Sequence, residues 1–251
     1  MKKEKLLPHV PALMLVLGGV CFALRIRLYA AALDAKGLLL RGHPLERGIW
    51  ITVAVAAALA VLAAWAQKRS DRYEENFAPS AVAALGHFLL AAGIGATVLT
   101  CAPGAFGTLG TVWKVLGLLA APLLLWAGFC RIRGTVPLFL SYGAVCLFLL
   151  VHVMSQYQHW CSNPQLMDYV FALLGNVAMA FFAYYTAAFA AGCANPRMYL
   201  ISGLLTVLLC AGALSGGTYP LLYLGGLVWA LTDLSRLLPP PEEEDSAYDA
   251  A

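Results

Sequence analysis

Apolar residues along this chain come in long runs separated by short polar or Gly/Pro-rich joints, with no alternation of apolar and polar positions. A helix needs about 20 successive apolar residues to cross the hydrocarbon core of a bilayer. Eight runs approach that length, at approximately residues 6–24, 48–66, 80–101, 108–129, 135–155, 164–192, 196–214 and 218–234. They are Leu/Ala-rich and lack a period of two, so they read as helices and not as barrel strands. Pro8, Pro79, Pro137, Pro164, Pro196 and Pro220 fall within the first turn or so of a run, where a missing N–H costs nothing. Asn163-Pro164 and Asn195-Pro196 each read as an N-cap followed by the first helical residue. Pro122 lies inside the fourth run and is expected to kink it. Residues 196–234 are nearly twice too long for one crossing at about 1.5 Å per residue, and Ser215-Gly216-Gly217 marks the turn that divides them. The predicted fold class is all-α: a multi-pass transmembrane helical bundle of about eight spans in a single domain over residues 1–236.

Composition sharpens this picture. Hydrophobic residues make up 61% of the 251 and charged residues 12%, half the roughly 25% of soluble domains. The mean hydropathy is +0.78. A soluble protein is excluded, and the lipid bilayer is the partner this composition demands. A membrane-protein partner or a homo-oligomer stays open. The formal net charge of +3 is small, and no basic stretch is interleaved with stacking aromatics, so no nucleic acid is expected as a partner. The opening MKKEKLLPHVPALMLVLGGVCFA has the outline of a signal peptide. More membrane follows it, so it is read as a retained first span. Residues 237–251 are proline-rich, then acidic, and read as a disordered cytoplasmic tail.

The distribution of Lys and Arg sets the expected orientation. With both termini inside, the cytoplasmic segments hold Lys2, Lys3, Lys5, Lys68, Arg69, Arg72, Arg131, Arg133, Arg197 and Arg236. Only the first outer loop breaks the rule, with Arg25, Arg27, Lys36, Arg41 and Arg47. Leu24, Leu28, Ala31, Ala35 and Leu38 recur there at helical spacing, so the first span is expected to continue as a helix past the surface until Gly37 stops it. Arg25 then falls about 28 Å along the span, placed to snorkel to the outer headgroups. The alternative is that Arg25 and Arg27 pair with Asp34 or Asp168 and organise an outer-face site.

Candidate chemistry is sparse. Arg25, Arg27, Asp34, Lys114, His152 and Asp168 form a candidate polar cluster at the outer face. His43, His159 and Cys161 share that face but come from separate loops without ligand spacing, so no metal site is predicted. His152 reads as an interfacial residue. Asp168 has a plain role in the first turns of its span, where a negative charge suits the helix dipole. Asn176 lies near mid-membrane, about 18 Å from the outer end of its span. It reads either as a contact for a substrate or ion, or as an interhelical hydrogen bond. His87 and His152 stand at unequal depths, about 10 Å and 25 Å from the cytoplasmic ends of their spans, which speaks against a shared haem. Asp233 is three residues before Arg236 and is expected to pair with it locally. No buried acid is then left, which counts against proton-driven transport. Cys101 and Cys161 share the outer face as a candidate disulfide; the other cysteines read as packing residues. No Gly-x-Ser-x-Gly, HExxH or P-loop is present, so no catalytic residue or cofactor is assigned.

Two stretches, RIRLYAAALDAKGLLLRGH and NPQLMDYVFALLG, resemble a group of small multi-pass membrane proteins of Clostridia-like bacteria with no assigned activity. The resemblance implies a bacterial cytoplasmic membrane and supplies no catalytic residues. The leading functional expectation is a small-molecule or ion permease, or an accessory subunit of one. The alternative is a non-transporting sensor, assembly factor or partner-binding scaffold acting through its outer loops. A membrane enzyme comes last.

Overall fold

The structure, a computed structural model, describes residues 9–31, 43–66, 70–100, 107–160, 166–216 and 219–237, and the backbone alone at 107–108, 159–160 and 166–168. The described chain is helical, with one isolated antiparallel bridge between Phe77 and Leu237. Its helices are α1 (Val10–Ala31), α2 (Pro44–Trp65), α3 (Tyr73–Asn76), α4 (Ala81–Thr100), α5 (Gly107–Arg133), α6 (Phe139–Trp160), α7 (Leu166–Ala190), α8 (Pro196–Ala213) and α9 (Pro220–Ser235). Each apolar run is a helix with ends within a few residues of those expected, except that α1 runs on to Ala31. That extension follows the helical spacing after residue 24, while Gly37 lies outside the described residues. The single turn α3 has no apolar run to announce it.

Seven of the described helices are long and apolar enough to cross a membrane. The eighth apolar helix, α9, has 16 residues, or about 24 Å, short of the roughly 30 Å hydrocarbon core. α5 continues unbroken through Pro122. The proline leaves the Leu118 carbonyl without its donor four residues on.

Local chemistry sets the joints. Asn195 caps α8 by accepting from the Met198 N–H at 3.3 Å, with Pro196 in the first turn. Gly134 and Gly192 have φ of +71° and +72°. Beyond them Thr135 and Cys193 donate back to the Cys130 and Ala188 carbonyls. Both helix ends are therefore Schellman closures, which need a residue at ease in the left-handed region.

Six helices form a closed ring. α4 packs on α5, α5 on α6, α6 on α7, α7 on α8, α8 on α9, and α9 returns to α4. α1 and α2 pack on each other and on the outside of α8. The buried positions of α1 are Pro11, Met14, Gly18, Cys21, Arg25 and Leu28, a seam of alternating three- and four-residue steps. The ring closes at backbone contact: a Cβ on Gly93 would stand 2.5 Å from the Leu221 carbonyl oxygen, and one on Gly225 2.7 Å from the Leu90 Cα. Small residues of this kind let membrane helices approach closely.

Candidate functional site

Two polar networks fill the ring, one toward each end. The first joins α4, α5, α6 and α9. Arg131, in the last turn of α5, donates through Nε and Nη2 to Asp233 Oδ1 at 3.4 and 3.3 Å. Both side chains are 2% exposed. The third guanidinium nitrogen, Nη1, donates to the Ala78 carbonyl at 2.7 Å. The Arg131 guanidinium also lies over the Phe77 ring, 4.7 Å from its centroid, in cation–π geometry. On the other side of the carboxylate, His87 Nε2 stands 3.9 Å from Asp233 Oδ2 and 2.9 Å from the Tyr142 hydroxyl. His87 Nδ1 is 2.9 Å from the Ala83 carbonyl, which can only accept. Nδ1 therefore carries the proton, and Nε2 of the neutral ring accepts from Tyr142. Trp229 packs edge-on against His87.

The α2–α4 connection closes this end. Asn76 donates to the Ser70 and Arg72 carbonyls at 2.8 Å each. The Ser80 N–H bonds the Arg131 carbonyl at 3.0 Å. Burial pushes the Tyr73 hydroxyl above the ordinary tyrosine range, with the Arg131 charge pulling the other way.

The second network joins α6, α7 and α9. His152 Nε2 is 2.8 Å from Gln156 Nε2, one turn along α6. Gln156 Oε1 accepts from Asn176 Nδ2 at 3.1 Å, and the same nitrogen donates to the Tyr223 hydroxyl at 3.1 Å. That hydroxyl reaches the Ala172 carbonyl at 3.3 Å. Asn176 and His152 are fully buried. The His152 ring clusters with Trp113 and Phe148, at centroid distances of 5.3 and 5.8 Å, the latter two being 5.7 Å from each other, with Tyr219 edge-on. Two atoms of this network, His152 Nδ1 and Asn176 Oδ1, are buried without a hydrogen-bond partner among the described residues.

Of the expected outer-face cluster, the side chains of Arg25, Arg27, Lys114 and His152 fall among the described residues. Arg25 is buried at 3% exposure and does not snorkel. It donates to the Gly212 carbonyl at 2.8 Å and to the Tyr29 hydroxyl at 2.7 Å, and it lies over the Phe171 ring. The same Gly212 carbonyl accepts from the Ser215 hydroxyl at 2.8 Å, and a cation at this end of α8 suits the helix dipole. Arg27 is exposed on α1 and Lys114 half-buried on α5. Asp34, Cys101, Cys161 and the Asp168 side chain lie outside the described residues. His152 is a buried member of the second network and not an interfacial residue. Asn176 makes the interhelical hydrogen bonds that were one of its two expected roles.

Asp233 corrects a second expectation. It reaches across the ring to Arg131 instead of along the chain to Arg236, which is exposed. A buried acid is therefore present. Two residues on one helix face three apart are the natural sequence-level guess, and the true partner lies 102 positions away. Gln156 also escaped notice, although its four-residue spacing from His152 puts both on one face. Both His87 nitrogens have protein partners, which leaves none to bind a haem iron. Among the described residues no three His, Cys, Asp or Glu side chains come together in a way that would hold a metal ion.

No family model, curated protein or solved structure matches the chain.

Proposed function

We propose that this protein is a permease for a small molecule or ion, or the membrane subunit of one, threaded through the bacterial cytoplasmic membrane in eight crossings with both termini inside. The observation that carries this reading is the Arg131–Asp233–His87 cluster, buried among four helices of a closed ring. Charges buried within a membrane bundle are costly, and such residues mark the paths of ions, protons or substrates. A hydrophobic filling would hold a ring of this kind together as well or better, since replacing a buried ion pair by apolar residues is often neutral or stabilising. The cluster is also arranged to take a proton. A second proton on His87 would sit on Nε2, between the Tyr142 oxygen and the free carboxylate oxygen of Asp233. The second network continues the line of polar groups: Tyr223 and Asp233 lie ten residues apart on α9, or about 15 Å.

Reconstituted vesicles test the reading. Wild-type protein is expected to pass protons, an alkali cation, chloride or a small neutral solute faster than empty vesicles do. Asp233→Asn, which keeps the shape and removes the charge, is expected to change that rate in protein that still elutes as a single folded species. Wild-type vesicles indistinguishable from empty ones across all of these would overturn the permease reading.

A further inference from the structure

The His152–Gln156–Asn176 row has a property that does not depend on which way its amides face. As described, Gln156 donates to His152 Nε2 and Asn176 donates to Gln156. His152 then carries its proton on Nδ1, an unpartnered donor, and Asn176 Oδ1 is an unpartnered acceptor. Turning the Gln156 amide over forces both neighbours to change as well. His152 then donates from Nε2 and leaves Nδ1 as a bare acceptor, and Asn176 is left with a bare N–H donor. In either direction the row ends in one donor and one acceptor. The ends are always complementary, both are buried, and both belong to uncharged groups. A buried polar atom left without a partner costs about 1–3 kcal/mol, and this row carries two.

We propose that the row is a binding site for a small uncharged solute that both donates and accepts hydrogen bonds, of the amide or urea class. A cation would face the donor end without compensation, and an anion the acceptor end. A hydrocarbon would leave both ends unsatisfied. A neutral amide has the matching pair of groups, and it fits either direction of the row by turning over. The aromatic rings of Trp113, Phe148 and Tyr219 around His152 supply the apolar walls that small-molecule sites combine with a few placed polar groups. As the site of a transported cargo the row rests on the permease reading; as a binding site it rests on the two buried atoms without partners among the described residues.

Nitrogen-15 NMR of histidine-labelled protein in nanodiscs tests it, with acetamide as the probe and acetone as the near-isosteric control that cannot donate. The His152 signals are those lost in His152→Phe, a variant that keeps the ring stack. Acetamide is expected to shift them saturably. Acetone should bind about tenfold or more weakly, the effect of one lost buried hydrogen bond. Asn176→Leu should abolish the response while the signals of the other histidines stay in place. A His152 signal that does not respond to acetamide, that responds equally to acetone, or that responds unchanged in Asn176→Leu would overturn the site. Acetamide flux into vesicles separates the two claims. Binding without flux removes the permease and keeps the site, whereas flux unaffected by Asn176→Leu removes the site and keeps the permease.

Discussion

Asp233 is held by partners from two other helices, and its energetics follow from that. Removing either member of a buried ion pair leaves the other charge desolvated and alone, at a cost of about 3–5 kcal/mol, whereas replacing both by apolar groups is often neutral. Asp233→Leu and Arg131→Met are therefore each expected to lower stability by about that amount. The double variant should recover most of the loss. Urea unfolding in detergent micelles, carried around the full double-mutant cycle, measures this; strictly additive single losses would contradict a direct pair. Function should follow the opposite order. The double variant, stable but without the charge, is the one expected to lose transport most completely. Arg25 belongs to a different category. It is buried on the α1–α8 seam, bonds the Gly212 carbonyl and covers Phe171, so its replacement should loosen α1 without touching either polar network.

Among the elements, α4 and α9 are bound most intimately. Gly93 and Gly95 lie two residues apart on α4 and make opposite predictions. A Cβ at Gly93 would meet the Leu221 carbonyl oxygen at 2.5 Å, and one at Gly95 has nothing within 4 Å. Gly93→Ala should destabilise by about 1–3 kcal/mol, the range for overpacking a tight interface. Gly95→Ala should be neutral or slightly stabilising, within about 1 kcal/mol. Thermal unfolding of the two variants side by side decides the matter, and equal effects would contradict the close approach. The elements were largely legible in the sequence. Run length located the helices, and prolines with an Asn N-cap located several starts, because both signals are local. α3 was not legible, since one polar turn carries no periodicity. Nor were the pairings across the ring. Asp233, Arg131 and His87 meet because the helices close on one another, and a single sequence records which residues are polar but not which of them face one another. The local partner Arg236 was the better guess on chain distance alone. Asn176 was legible as a polar residue at depth, but its link to Gln156 depends on how α6 and α7 are rotated.

For the molecule as a whole, the ring and its α1–α2 flank leave a broad apolar exterior, with Leu62, Leu99, Leu118 and Phe129 all more than half exposed. A bilayer is the solvent that makes such an exterior stable. The proposed eight crossings with the termini inside would place the α7–α8 turn in the cytoplasm, and Cys193 in that turn is exposed. In a variant retaining Cys193 alone, a membrane-impermeant maleimide is expected to label inverted vesicles and to spare right-side-out ones until they are opened. The reverse pattern would turn the whole threading over. The closure of the ring has a further consequence, for the order in which the chain is made. α4 leaves the ribosome more than a hundred residues ahead of α9, a delay on the order of ten seconds. Through that interval its glycine face has no helix to press against, His87 lacks Asp233, and Arg131 follows with no counter-charge. The early helices must wait in the membrane half-assembled, held by lipid, by the insertion machinery or by a chaperone. Only when the short α9 arrives, carrying both the mating glycine and the acid, does the charge find its partner and the ring shut.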